Sequence, residues 1–172
     1  MEKLTSREKQ VLTELLKNCK ISDQEIARRL KTSRPTVFKI RKRFERDGLI
    51  KKYIPVIDFE KINLNLQAVI LYRWKDYSKT EELEKTIKFI KELSEVILFI
   101  KGEGMGNKTD LIISIHEDLK DYERFIRKLK YQWRDNVENV EVFLSSVEGV
   151  SKWYDLPSPA LQKINEKIIY SK

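Results

Sequence analysis

Among its 172 residues the chain has one cysteine and one histidine. With Cys19 alone no internal disulfide can form, and no Cys/His spacing resembles a zinc cluster. Cys19 reads instead as a small buried or half-buried residue at the end of a helix. No stretch reaches the roughly 18 consecutive apolar residues from which a membrane span is read, and the N-terminus has neither a signal-peptide nor a transit-peptide pattern. The expectation is a reducing, cytoplasmic setting with no membrane partner. His116, at a strand end before Glu117-Asp118, reads as a surface or helix-entry residue and not as a metal ligand. No Ser/His/Asp constellation, phosphate-cradling glycine loop or paired acid site can be assembled, so no catalytic residue, metal or cofactor is expected. Glu81, Glu82 and Glu84, like Asp118, Asp121 and Glu123, fit the preference for acids in the first turns of helices.

What is present is positive charge, and it is unevenly placed. Met1–Asp58 holds 16 Lys+Arg against 8 Asp+Glu, whereas the rest of the chain holds 19 of each. The whole net charge of +8 therefore lies in the first third, as in a nucleic-acid-binding module attached to a separate neutral platform. An apolar share of 41% suits a folded protein.

The basic third punctuates itself into helices. Thr5-Ser6-Arg7-Glu8 has capping-box spacing, and Val11, Leu12, Leu15 and Leu16 give a first helix its apolar face, to about Asn18. Ser22-Asp23-Gln24-Glu25 is a second such box, opening a short helix through Ile26, Ala27 and Leu30. Ser33 then caps a third helix, with Pro35 in its first turn and Gly48 free to close it in the left-handed conformation. Val37, Ile40 and Phe44 form one narrow apolar stripe. The opposite side carries Pro35, Phe38, Lys39, Lys42 and Arg46, with Arg34, Thr36 and Arg43 on its flanks. Residues 48–58 are basic and β-branched, which suits a wing or edge strand. Helix, short helix, turn and basic helix followed by a wing is a winged helix-turn-helix.

Glu25-Ile-Ala-Arg-Arg-Leu30, Ser33 with Val37 and Phe44, Asp47-Gly-Leu-Ile50 and Tyr53…Asp58 resemble the N-terminal domain of the leucine-responsive/asparagine (Lrp/AsnC) family of transcriptional regulators. Three positions depart from the family pattern. Lys31 replaces a turn glycine, Arg41 an apolar helix residue, and Lys52 a glycine before Tyr53. In a helix-turn-helix the third helix enters the major groove of double-stranded DNA. Arg34 and Lys39 can donate to guanine, while Phe38 or the Thr36 methyl can touch a thymine methyl. Lys42, Arg43 and Arg46 sit further along, towards phosphates. Phe38 packing on the wing or a partner, and Arg46 paired to a neighbouring acid, are the open alternatives.

The neutral remainder begins with a short connector, 59–65. Strands follow at Gln67–Trp74, Val96–Lys101, Asp110–His116 and Val137–Ser145, with helices at Ser78–Leu93 and Asp118–Trp133. The order βαββαβ over 66–146 is a ferredoxin-like (ACT-like) split βαβ, with both helices on one face of an antiparallel sheet. The overall class is α+β. The strands are apolar on both sides, so the second sheet face needs a cover, and a homodimer or higher homo-oligomer is the simplest one. This region resembles the effector domain of the same family, in which small ligands, often amino acids, bind between subunits near a glycine loop. That resemblance implies Gly104, Gly106 and Asp110 as effector-binding candidates; the alternative is a plain hairpin with a strand-opening aspartate. The spacing from Gly106 to Asp110 is one residue longer than usual, and Lys108 lies inside it. Residues 147–172 extend past the family pattern: Trp153, Tyr154, Leu156, Pro157 and Pro159 read as a connector, and Leu161, Ile164 and Ile168 as the stripe of a last helix. That helix would pack on its own domain or on a partner subunit.

The chain therefore reads as a sequence-specific DNA-binding transcriptional regulator. Its rivals are an architectural protein coating DNA with low specificity, a sirohaem-decarboxylase-like enzyme on the same two-domain plan, and an interaction module that no longer binds DNA.

Overall fold

The structure is a computed structural model that describes residues 4–149 and 159–164. The chain divides into two compact units, Met1–Val56 with Lys152–Lys172, and Ile57–Ser151.

The first unit is built on α1 (Ser6–Lys17), α2 (Asp23–Arg29) and α3 (Arg34–Arg46). Thr5 and Glu8 form the full reciprocal capping box that opens α1. The second box forms by half. Ser22 Oγ accepts from the Glu25 N–H at 3.1 Å, but the Glu25 carboxylate accepts from Arg28 and Arg29 instead of returning to the cap. Those two guanidinium groups hold its carboxyl down at about 2. Val11, Leu12, Leu15, Ile21, Ile26, Ala27, Val37 and Phe44 make the core, and Leu30, Ile40, Ile50 and Ile164 pack against it. Each such aliphatic or aromatic side chain taken fully from water contributes about 1.5–3 kcal/mol, which is how three short helices hold together. Lys31 adopts φ +50, so the turn takes up a left-handed residue without the glycine that suits it. Cys19 is exposed, not half-buried, because it lies beyond the end of α1 on the turn into α2.

The expected wing strand does not form. Residues 51–58 join no sheet, and Ile54 and Val56 face water. A strand needs a partner for its backbone, and the connections between the three helices are too short to supply one. Residues 159–164 are helical, with Pro159 inside the helix and not in the connector before it. Trp153, Tyr154, Leu156, Pro157 and Ile168 lie outside the described residues.

The second unit holds β1 (Leu66–Trp74), α4 (Thr80–Glu92), β2 (Val96–Lys101), β3 (Asp110–His116), α5 (Leu119–Trp133) and β4 (Val137–Ser146). The sheet order is β2-β3-β1-β4, and every pair is antiparallel. Even-numbered positions of β1 and β3 face the helices: Ala68, Ile70, Tyr72 and Ile112 pack with Ile90, Tyr122, Phe125, Leu129 and Trp133. Odd-numbered positions make the far face, where Val69 lies between Ile113 and Phe143, and Leu71 beside Leu111. Among the described residues the helices of this unit pack on the other face, and of the far face only the end at Ile115 is buried. Phe143 is 66% exposed and Ile100 46%. Because α5 packs on β1 and β3, and α4 on β2, Val142 and Leu144 of β4 are also open on the helix side.

Candidate nucleic-acid interface

The apolar stripe of α3 fixes which side of the helix meets solvent. Val37 is fully buried and Phe44 nearly so. Ser33 Oγ accepts from the Thr36 N–H at 3.3 Å. The far end closes through Gly48 at φ +70, with the Asp47 N–H donating to the Arg43 carbonyl at 2.8 Å. Two arginines fix α3 and α2 in place. Arg41 donates to Asp23 Oδ1 at 2.7 Å and to the Ile21 carbonyl at 2.8 Å. Arg7 of α1 donates at 2.6 Å to the Leu30 carbonyl, satisfying an acceptor left over at the end of α2. Arg41 thus occupies an otherwise apolar position as a cross-link.

Ser33, Arg34, Pro35, Thr36, Phe38, Lys39, Lys42 and Arg46 are all exposed. Phe38 is 50% exposed, with Lys42 Nζ 6.0 Å from its ring centroid. Among the described residues neither Arg34 nor Lys39 has an ion-pair or side-chain hydrogen-bond partner. The cations further along are already paired. Lys42 donates to Glu45 Oε2 at 2.9 Å and Arg46 to Asp47 Oδ1 at 2.9 Å. The bond to Glu45 raises the Lys42 pKa and lowers that of Glu45.

Arg43 stands apart from this surface. Its Nη1 donates to Glu8 Oε1 at 2.6 Å and its Nε to Asp47 Oδ2 at 3.3 Å, and Glu8 is buried at the start of α1. Helical spacing places Arg43 on the flank of the stripe, and its side chain reaches Glu8 of α1.

A family profile described as winged helix-turn-helix DNA-binding matches residues 4–51. An uncharacterized HTH-type transcriptional regulator of Pyrococcus horikoshii, PH0061, is 28% identical over 85% of this chain and 95% of its own length. The crystal structure of PH0061 matches with a TM-score of 0.74 at 26% identity, over 89% of this chain and 98% of that one. The DNA-binding transcriptional activator DecR of Escherichia coli is 27% identical over 71% of this chain and 78% of its own. Two further structures share the fold. An AsnC family transcriptional regulator from Agrobacterium tumefaciens has a TM-score of 0.75 at 17% identity, covering 87% and 94% of the two chains. The Neisseria meningitidis regulator NMB0573, solved as an L-Met complex, has 0.73 at 18%, covering 92% and 99%. Residues 4–51 are thus a winged helix-turn-helix DNA-binding domain, and the chain shares its fold with an AsnC family transcriptional regulator.

The glycine loop connects β2 to β3. The Gly102 N–H donates to the Thr109 carbonyl and the Gly104 N–H to the Lys108 carbonyl, both at 2.8 Å. Gly106 takes φ +67, and nothing fills the space where a side chain would stand. Asp110 lies inside, 5% exposed, with Thr109 Oγ1 donating to its Oδ2 at 2.6 Å. Burial pushes its carboxyl above the ordinary value, against the pull of Thr109 and Lys101. Gly104 and Gly106 are therefore at the surface while Asp110 is not.

Two clusters escaped the sequence reading. Lys108, 7% exposed, sends its ammonium to the Asn139 carbonyl and, at 2.8 Å, to Glu141 Oε1, tying the loop to β4. The only signal for it was the extra residue in the loop. His116 is fully buried and not at the surface. Its Nε2 meets Ser114 Oγ at 2.9 Å and its Nδ1 meets Asp121 Oδ2 at 3.3 Å. Those three residue types are the ones a hydrolytic triad uses, but Ser114 has no exposure at all. A nucleophile must reach its substrate; buried as it is, this arrangement joins β3 to α5.

Proposed function

We propose that α3 reads operator DNA through Arg34, Thr36, Phe38 and Lys39, with Ser33 and Pro35 setting the first turn, Lys42 standing beside Phe38 and Arg46 lying towards the phosphates. The observation that carries this reading is the pairing pattern. The cations at the N-terminal end of the helix are exposed and uncommitted, beside an exposed phenyl ring. A base-reading helix presents its early residues to base edges in this way. Arg43 is left out because it serves Glu8.

In this reading residues 1–58 bind DNA, 59–65 connect, and 66–146 assemble the protein. The open far face and β4 suit a second copy of the chain, which would set two α3 helices about one helical turn of DNA apart. The protein acts in the cytoplasm as a regulator and not as an enzyme. An amino acid is the ligand class we assign to the loop of Gly104 and Gly106, as the L-Met complex of the Neisseria relative suggests. Asp110 would hold its ammonium only after the carboxylate is uncovered.

Fluorescence anisotropy against the protein's own upstream promoter DNA and a scrambled duplex, at two salt concentrations, tests the DNA reading. Tighter, salt-sensitive binding to the promoter is expected. Lys39→Ala should weaken promoter binding by about 1–3 kcal/mol, the worth of a bidentate base contact, and should weaken scrambled binding less. Equal affinity for both duplexes would replace this reading with a non-specific DNA-coating role.

A further inference from the structure

Glu45 is the one acid within α3, and it sits among the groups that face DNA. Its Oε2 accepts from Lys42 Nζ at 2.9 Å, and its Oε1 accepts from the Tyr53 hydroxyl at 3.2 Å. Lys42 Nζ in turn stands 6.0 Å from the Phe38 ring centroid. One line of contacts, Phe38–Lys42–Glu45–Tyr53, therefore runs from the base-facing part of the helix to the segment that leaves the domain. The paired ends differ. Arg46 and Arg43 share Asp47 at the helix terminus, whereas Glu45 ties Lys42 beside an aromatic ring.

We propose that Glu45, oriented by Tyr53, is a positioning residue that determines specificity. It keeps Lys42 against Phe38 and away from phosphate. The inference rests on the reading that α3 enters DNA, and it deepens that reading. Every duplex offers the same phosphates, so a free Lys42 would strengthen binding to any sequence. Only a suitable site offers an apolar group to Phe38. Holding Lys42 over the ring restrains the phenyl where a thymine methyl would meet it, and removes one cation from indiscriminate contact. In the operator complex Lys42 stays with Glu45 and Phe38; on other sequences its charge is withheld.

The test uses full-length wild type, Glu45→Gln and Tyr53→Phe with promoter and scrambled duplexes at two salt concentrations. Glu45→Gln should bind the scrambled duplex about twofold to fivefold more tightly, the scale of an exposed ion pair. The salt slope for that duplex should steepen by about 0.9 for each phosphate gained. Promoter affinity should not rise with it, so the ratio between duplexes falls. Tyr53→Phe should shift the ratio in the same direction by less, with the helix sequence intact. An equal gain on both duplexes, or no change on either, overturns the inference. Wild type that binds neither duplex would defeat the DNA reading itself. Retention on immobilised heparin, a polyanion without sequence, then judges the inference separately: later elution of Glu45→Gln supports a released Lys42, and co-elution with wild type overturns it.

Discussion

His116 sits where β3 ends, with Phe125 and Tyr122 ring centroids 4.8 and 5.5 Å from its own. An imidazolium there would lose its water shell, so burial lowers the pKa below 6.5, against the opposing pull of Asp121. The sign of the effect follows. The unfolded chain takes up the proton first as pH falls, so folding loses stability below about pH 6.5. Above that value the contribution is complete. Asp121 is shifted downwards from 3.8 by its bonds to Arg124 and His116, although burial opposes them, and its contribution fails only at lower pH. Thermal unfolding should therefore show a midpoint that is flat from pH 7 to 8 and declines between pH 6.5 and 5. His116→Gln should remove most of that decline, while the acid-induced loss below about pH 4 remains.

At the scale of elements, Arg41 decides how α2 meets α3. Its side chain is 16% exposed and that of Asp23 17%, so the pair is screened from water on most sides. Removing one member leaves the other, and the Ile21 carbonyl, without a partner. Arg41→Ala should cost about 2 kcal/mol in urea unfolding, within the range for a stranded charge or acceptor. Asp23→Ser combined with Arg41→Met should recover much of it, because an apolar helix residue fits the same space. The elements themselves were readable from sequence. Capping residues, the period of Val37 and Phe44, and the apolar runs of the strands placed α1 to α5 and all four strands of the sheet within a residue or two. Residues 51–58 misled because β-branched composition records a preference for strands and not the presence of a partner. Individual partners were less legible. Nothing in the spacing of Arg43 says that it reaches Glu8 in another helix, nor that Glu45 bonds Tyr53 beyond the helix end. Such pairings depend on tertiary geometry.

The whole molecule has one basic unit with a committed core and one neutral unit whose described helices pack on one face of its sheet. Phe143, Val69, Ile113 and Leu111 form a contiguous apolar face, and soluble proteins do not commonly leave such a face in water. Phe143→Lys should therefore lower the oligomeric mass in sedimentation or light scattering and leave the far-ultraviolet circular dichroism unchanged. An unchanged mass would mean that the face is not the assembly surface. The helical residues 159–164 bear on a different matter, which is the order in which the chain is made. Ile164 packs against the core formed by Val11, Ile26, Val37 and Phe44, yet it is synthesised after the entire second unit. Domains commonly fold as they emerge from the ribosome, N-terminal first. The first unit must then wait, one apolar neighbour short, until translation reaches the segment that finishes it.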